Sequence, residues 1–424
     1  MPPRRRALLV RALVLTTALA APIGAEVLTT PSAATSLAPA AVRVVQQSDA
    51  QSASVSASVS ASKPTHHKRR RVCAHARKGH AHCDAVVRLT PNGHPLVTAA
   101  PAGYGPADLR GAYDLPSVGG AGRTVAIVDA FDDPHAAADL ATYRSTFALP
   151  ACGTGDGCLT IVGQDGSSAL PPRDAGWAQE TSLDLDMVSA VCPDCRILLV
   201  EATSSSLLDL ATAARTAAAW PGVVAVSNSY GGSESASVRD VASAWSHAGV
   251  WMVASSGDNG YGVEFPASAP DVIAVGGTTL VVDAAHQRVS EKAWSGSGSG
   301  CSRQFGKPAW QHDGCAKRSV ADVAAVADPD TGLAVRDTYA VPGGGWLVVG
   351  GTSAAAPIIA ALHALAGGTG DTAASLYRSD AAIFDVSVGT NGRCRTMKVL
   401  CRAGRGWDGP TGVGAPSGLA GFTD

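Results

Sequence analysis

A serine that follows a predicted strand and opens a predicted helix is the first residue in this sequence suited to chemistry. Residues 346–349 form an apolar run of strand length, and residues 358–365 form an apolar run typical of a central helix. Two glycines between the runs permit a tight turn, so Ser353 falls at the helix N-terminus, where free backbone N–H groups point outward. A hydroxyl group there can attack a carbonyl carbon while nearby amides hold the oxyanion. The alternative is that Thr352 or Ser353 acts only as a helix N-cap.

A pair of carboxylates could activate such a serine. Residues 176–191 have the composition and length of a helix, and Glu180 and Asp184 stand at positions i and i+4, so their carboxyls share one face. On a solvent-exposed face two such acids would only repel each other. The apolar residues around them predict a largely buried helix, where two close carboxyls are costly unless they have a function. Asp186 points away from that face and is expected to be a surface or structural acid.

A third acid, Asp258, follows a hydrophobic strand at residues 250–253 and lies in a glycine-rich turn. This places it at the carboxyl end of a strand, where the active sites of α/β proteins gather. The alternative is an ordinary Asx-turn, which Asp and Asn form routinely.

In chain order, the motifs Glu-x-x-x-Asp, Ser-Gly-Asp-x-Gly and Gly-Thr-Ser-Ala resemble those of the sedolisin family, the serine-carboxyl peptidases of the subtilisin-like superfamily. The resemblance covers roughly residues 105–424. It implies that Ser353 is the nucleophile and that Glu180 is the general base and later the general acid. It also implies that Asp184 orients and tunes Glu180, and that Asp258 is the acid of the oxyanion hole.

These implied roles predict an acidic pH optimum. Glu180 must be ionised to accept the serine proton, whereas Asp258 must be protonated to donate a hydrogen bond to the oxyanion. Both conditions hold only below the pKa of Asp258 and above that of the coupled Glu180–Asp184 pair. The expected substrates are polypeptides.

The resemblance extends to a substrate-lining segment after a predicted strand. The exposed backbone of this segment could pair with an extended peptide by strand addition. The alternative is a plain Gly-Gly loop. The residues concerned are Ser229, Tyr230, Gly231 and Gly232.

A calcium site is implied near the end of the chain. Calcium prefers six or more oxygen ligands, from carboxylates and from bent backbone carbonyls. The resemblance assigns the carboxylates of Asp385 and Asp408 and the carbonyls of Val386, Gly404 and Gly406 to Ca²⁺. The alternative is a Gly-Trp-Asp turn without a metal.

Hydrophobic runs of strand length alternate with helical segments after residue 104. The runs lie at residues 196–200, 223–227, 250–253 and 272–275, and the intervening helices are expected at 207–220 and 235–247. This alternation predicts an α/β fold with a doubly wound, mostly parallel sheet and helices on both faces. The resemblance implies that this fold is subtilisin-like.

The N-terminal quarter of the chain has a different character. Residues 1–25 combine basic residues with an apolar run and predict a signal peptide, so the protein is expected to be secreted and extracellular. Residues 26–103 are low in complexity and carry a basic cluster at 66–71, which predicts a disordered leader. The peptidase domain is expected at residues 104–424. Most sedolisins carry a long folded prosegment, and this region lacks an obvious one.

The ten cysteines form five local pairs, which in an exported chain predict disulfides. The pairs are Cys73/Cys83, Cys152/Cys158, Cys192/Cys195, Cys301/Cys315 and Cys394/Cys401. The histidines at positions 75, 80 and 82, inside the first pair, have no recognisable metal-ligand spacing.

The composition excludes some partners and leaves two rival functions open. Charges are balanced, with 33 Lys and Arg against 35 Asp and Glu, so no nucleic acid or anionic membrane is expected as a partner. After signal removal no membrane contact is expected, and the protein is expected to be a monomer. One rival is a neutral subtilisin-type peptidase with Asp129 and a histidine base, although no histidine is followed by Gly-Thr. The other is a catalytically silent exported binding protein.

Overall fold

The computed structural model describes residues 66–341, 344–370, 372–378, 383–395 and 397–423. The predicted signal peptide and residues 26–65 of the predicted leader lie outside them. The helices of the described part are α1 Pro106–Tyr113, α2 Ala136–Thr146, α3 Ala175–Val191, α4 Leu207–Ala219 and α5 Thr352–Ala366. Its strands are β1 Arg69–Arg71, β2 His82–Cys83, β3 Val86–Arg88, β4 Thr124–Ala130, β5 Leu159–Gly163, β6 Arg196–Ala202, β7 Val223–Asn228, β8 Tyr230–Ser233, β9 Trp251–Ser255, β10 Glu264–Phe265, β11 Val272–Val282, β12 Arg288–Ala293, β13 Gly300–Cys301, β14 Ser319–Val320, β15 Val323–Val326, β16 Leu333–Asp337, β17 Gly345–Gly350, β18 Ile383–Phe384 and β19 Ala415–Pro416.

The main sheet has the strand order β12-β11-β9-β7-β4-β6-β5, and β15 also pairs with β11. All of these pairs are parallel except β11 with β12. The central strand β4 is buried along its whole length, as a parallel strand covered on both faces requires. The predicted doubly wound, mostly parallel sheet is therefore confirmed.

Helices α3 and α5 bring the two predicted catalytic motifs together. Asp174 caps the N-terminus of helix α3, and its side chain accepts hydrogen bonds from the N–H groups of Gly176 and Trp177. It is buried from Trp177 onward and packs directly against α5. Because α3 has no exposed face after its first turn, the carboxyls at i and i+4 lie in the protein interior. Asp186 is also buried and accepts a hydrogen bond from the N–H of Arg336, which gives it a structural role.

The expectation of a disordered leader does not hold for residues 66–103. Strand β3 pairs with both β1 and β17, and β2 pairs with β8, so this segment completes sheets begun by later parts of the chain. Ala81, Cys83 and Val87 are buried. Low sequence complexity does not prevent such order, because the stabilising hydrogen bonds and contacts come from distant strands and from the Cys73–Cys83 disulfide.

All five predicted disulfides are formed. The helix predicted at 235–247 is instead a pair of short 3₁₀ segments, Ala236–Asp240 and Ala242–Trp245, because this stretch is rich in Ser and Val, which are weak helix formers. No helix in the described part of the chain combines the length and apolar character that crossing a membrane requires.

Candidate active site

Ser353 lies at the first turn of α5, as predicted. Gly351, two residues before the serine, has φ of +107°, and a Cβ there would lie 2.1 Å from the carbonyl oxygen of Asp84. Glycine is therefore required for both the turn and the close approach. The buried Ser353 hydroxyl donates to the carbonyl of Ser229 at 2.9 Å.

A proline inside α5 leaves the carbonyl of Ser353 without its usual helical hydrogen bond. Pro357 has no N–H, so it cannot donate the usual helical hydrogen bond to the carbonyl of Ser353. The hydroxyl of Ser229 instead lies 3.2 Å from that carbonyl, and it also lies 2.7 Å from Oδ2 of Asp184. Ser229 thus contacts both the serine and the carboxylate pair.

The Glu180 carboxyl is fully buried beside Ser353. Among the described residues, neither of its oxygens has a well-formed hydrogen bond. Burial, and then the charge of Asp184, raise the pKa of Glu180 well above its usual value, while the hydroxyl of Ser353 lowers it. A basic carboxyl therefore lies next to a serine hydroxyl, the arrangement required for proton transfer between them.

Asp184 and Asp129 extend this buried acidic cluster. Burial raises the pKa of Asp184 well above its usual value, and the nearby charge of Asp129 raises it further. Asp129 lies near the end of β4, accepts a hydrogen bond from the hydroxyl of Thr181 at 3.2 Å and has its pKa raised to about 7 by burial. From sequence, Asp129 was expected only as the partner of a histidine base. The structure places it beside the carboxylates.

Asp258 lies at the turn after β9 and contacts Thr352, the residue before the serine. Its Oδ1 accepts hydrogen bonds from the N–H and the hydroxyl of Thr352, at 2.7 and 3.0 Å. Its Oδ2 is buried and has no hydrogen-bond partner among the described residues. Burial raises its pKa to about 7, although the bonds from Thr352 oppose this shift. Below that pH the side chain is a neutral acid that can donate a hydrogen bond.

An extended segment of the chain itself lies across Ser353. We call residues 81–87 the strap. Within it, His82 pairs with Gly231 and Cys83 pairs with Tyr230 in antiparallel register. The predicted substrate-lining segment thus does pair with an extended peptide, and that peptide belongs to this chain.

The strap continues directly over the serine. The N–H of Asp84 donates to the carbonyl of Ser229 at 3.2 Å. The carbonyl of Asp84 accepts a hydrogen bond from the N–H of Ser353 at 2.9 Å. Val86 then pairs with Gly350. Asp84 was not predicted from the sequence as a residue of the site. The local Cys73/Cys83 pair was the signal that this region folds.

The residues assigned to calcium also come together. Asp408 is buried and accepts hydrogen bonds from the N–H groups of Gly404 and Thr411, each at 2.9 Å. Asp385 accepts from the N–H of Gly406 at 3.0 Å. Burial raises the pKa of Asp408 to about 7, and the nearby charge of Asp385 contributes. Two carboxylates at a glycine loop are a donor set suited to a hard cation.

Comparisons with known proteins agree with this geometry. Residues 160–376 match the model of the subtilase family. The chain is 32% identical over 365 residues to kumamolisin from Bacillus sp. (strain MN-32), covering 76% of this chain and 63% of kumamolisin. It is 32% identical over 166 residues to sedolisin from Pseudomonas sp. (strain 101), covering 34% of this chain and 27% of sedolisin. The chain thus spans less than two thirds of the length of these curated relatives.

A solved structure is similar over most of its length. It is Pseudomonas sedolisin, a serine-carboxyl proteinase, complexed with two molecules of pseudo-iodotyrostatin. The TM-score is 0.64 at 27% sequence identity, and the match covers 75% of this chain and 96% of that chain. The family match, the two relatives and this structure agree: the chain belongs to the subtilase family and is a member of its sedolisin type.

Proposed function

We propose that this chain is a secreted serine-carboxyl peptidase that hydrolyses peptide bonds in polypeptides at acidic pH. The strap carries this proposal. The strap lies along β8 as an extended backbone, with a peptide carbonyl oxygen hydrogen-bonded to the N–H of Ser353, which supports the binding of an extended polypeptide here. This is the position in which a substrate carbonyl would be polarised for attack.

The proposed reaction uses the four predicted residues. Rotation of the Ser353 side chain turns its hydroxyl from the carbonyl of Ser229 toward Glu180, which takes the proton as the oxygen attacks the substrate carbonyl carbon. The oxyanion accepts hydrogen bonds from the N–H of Ser353 and from protonated Asp258. Glu180 then protonates the leaving amine as the peptide C–N bond breaks. Water then attacks the acyl-enzyme while Glu180 takes a proton from it, and Glu180 returns a proton to the Ser353 oxygen as the acyl group leaves.

Asp184 and Asp129 support Glu180 in this scheme. A proton shared within the buried cluster leaves a carboxylate available as the base, because close carboxyls do not all ionise together. The site does not support the alternative of a neutral subtilisin-type peptidase with a histidine base. His363, on α5, stacks on Trp251 with ring centroids 4.1 Å apart, and its Nδ1 lies 3.0 Å from the carbonyl of Phe422.

A cleavage profile across pH tests the proposed function. The full chain is incubated with a peptide library between about pH 2 and pH 9, with sampling over time so that slow displacement of the strap is recorded. We expect a bell-shaped profile whose alkaline limb lies near pH 7, because Asp258 loses its proton there. Failure to cleave any peptide at any pH would support the catalytically silent alternative, and an optimum at neutral or alkaline pH would support the histidine mechanism.

The Asp258→Asn variant identifies the group behind the alkaline limb. Asparagine keeps a hydrogen-bond donor that needs no proton, so we expect the alkaline limb to move to higher pH even if the maximum rate falls. Asp133→Asn is the matched control, since Asp133 is also buried with a pKa of about 7 but contacts Ser182 rather than the serine at the site. An active Asp258→Asn enzyme with an unmoved alkaline limb would show that another group titrates there.

We also propose that the chain is exported and binds Ca²⁺ as a monomer. The five disulfides and the signal-like N-terminus support export. The catalytic residues all come from one chain, which suits a monomer. The calcium ligands would be the carboxylates of Asp385 and Asp408 and the carbonyls of Val386, Gly404 and Gly406. The ion would stabilise the C-terminal segment without contacting the reacting bond.

Chelation is expected to lower the Tm near neutral pH. At free calcium of about 100 times Kd, binding adds about 2.7 kcal/mol to the free energy of unfolding. Removal should lower the Tm by several degrees and speed self-digestion, with little immediate change in rate. Asp408→Ala should make the Tm insensitive to chelator, whereas the exposed Asp165→Ala should not. A wild-type Tm that ignores both calcium and chelator would overturn the metal assignment.

A further inference from the structure

Three side chains meet where the strap crosses the substrate groove. His82 and Asp84 stand two residues apart on the strap, so they project from the same side of the extended chain. Glu264, the first residue of β10, faces them from the groove wall, since β10 pairs with β8. The cluster joins two segments that are remote in sequence.

Each of these side chains has one buried atom without a hydrogen-bond partner among the described residues. The atoms are Nδ1 of His82, Oδ1 of Asp84 and Oε2 of Glu264. One potential ligand atom from each residue lies within 4.8 Å of those of the other two, and Nδ1 of His82 lies 3.4 Å from Oδ1 of Asp84. His82 is only 7% exposed and Asp84 is completely buried. Unsatisfied polar atoms of this kind are unfavourable in a protein interior unless a ligand occupies the space between them.

We propose that His82, Asp84 and Glu264 bind one divalent transition-metal ion, with zinc the best match. One imidazole nitrogen and two carboxylate oxygens are standard zinc donors, and three protein ligands leave a fourth position for water. Tetrahedral bonds of 2.0–2.1 Å separate ligand atoms by about 3.3 Å. The His82–Asp84 pair already has this spacing, and a Glu264 oxygen lies within 4.8 Å of the ligand atoms of both.

The remaining oxygens of the two carboxylates have partners that hold them in place. Oδ2 of Asp84 accepts from the hydroxyl of Ser255 at 2.7 Å, and Oε1 of Glu264 accepts from the amide of Asn259 at 2.9 Å. Such second-shell bonds orient metal ligands. Glycine at position 231 leaves room for the Glu264 side chain, because a Cβ there would lie 2.2 Å from Oε2 and 2.9 Å from Cβ of Glu264.

The surrounding charges allow a cation to bind. The two carboxylate ligands and nearby Asp258 are acidic, and Arg71 is the basic neighbour whose charge acts on both Asp84 and Asp258. Arg71 donates to the amide oxygen of Asn259 rather than to a ligand atom. The metal would link two strap residues to the groove wall and so stabilise the strap-bound form.

Zinc binding can be measured without reference to catalysis. The full chain carrying Ser353→Ala, which keeps the strap intact, is stripped of metals, saturated with calcium and titrated with Zn²⁺ by calorimetry. We expect one zinc per chain, and Glu264→Gln, which keeps the shape of the side chain, should weaken binding by more than about tenfold. His82→Ala should do the same. His80→Ala is the matched control on the same segment and should leave binding unchanged.

Two further readouts separate this site from weak binding at surface histidines. Cobalt in place of zinc should show the intense visible absorption of tetrahedral coordination, and this should disappear in Glu264→Gln. Zinc should also slow hydrogen exchange at the N–H of Asp84. No zinc binding by the parent chain, or equal affinity in the parent and in Glu264→Gln, would overturn the proposal. If His82→Ala does not fold, the isosteric Glu264→Gln decides the question.

Discussion

Replacing Ser353 by alanine is expected to lower peptide hydrolysis by roughly 10⁶-fold, because it removes the attacking oxygen on which the other catalytic groups act. The fold should survive. The carbonyl of Ser229, which loses the hydrogen bond from the serine, still accepts one from the N–H of Asp84. We therefore expect the free energy of unfolding to change by less than about 1 kcal/mol. The measurements are kcat/KM at the pH of maximum rate and the Tm.

The control for this variant is Ser375→Ala, a buried serine outside the site whose hydroxyl has no hydrogen-bond partner among the described residues. Its activity should equal that of wild type. Comparable hydrolysis by Ser353→Ala and wild type at acidic pH would rule out Ser353 as the nucleophile. That outcome would leave the zinc proposal unaffected, since zinc binding is measured on the Ser353→Ala chain without any readout of activity.

The second large effect concerns stability, which should fall as the pH rises from about 4 to 8. Burial raises the pKa of several carboxyls outside the serine's immediate neighbourhood, to about 7 for Asp133 and about 8 for Glu201. A group whose pKa is raised on folding contributes its full stability below the unfolded-state pKa, near 4, and loses it as the pH passes the folded-state value. The window therefore runs from about pH 4 to pH 8.

The expected loss is large because these groups act in the same direction. At 1.36 kcal/mol per pKa unit, one carboxyl shifted by about three units corresponds to about 4 kcal/mol between the two limits. Denaturant unfolding of Ser353→Ala in the presence of chelator measures the trend without self-digestion or calcium. Glu201→Gln removes one titrating group and should flatten the profile, whereas a substitution of exposed Asp165 should not. Stability that is constant or rises across this window would contradict the raised pKa values.

The sequence alone was sufficient for the parts of the protein that depend on local pattern. Strand-length apolar runs predict a sheet buried on both faces, because every strand of a parallel sheet must be covered. Helical spacing places Glu180 and Asp184 one turn apart, and the Gly-Thr-Ser-Ala motif places Ser353 at a helix start. The motif order identified the family that the comparisons show. The five local cysteine pairs also predicted the disulfides.

Tertiary structure decided which remote groups meet. Asp129 joins the carboxylate cluster because β4 lies beside α3 in the fold. Asp84 reaches Ser353 from 269 residues away in the chain, and His82 reaches Glu264, although neither pair has a spacing that a sequence motif could reveal. The strap looked like a disordered leader because its own residues carry little of the information that orders it. Its hydrogen bonds are made to the edges of β8 and β17, and only the folded domain brings those edges together.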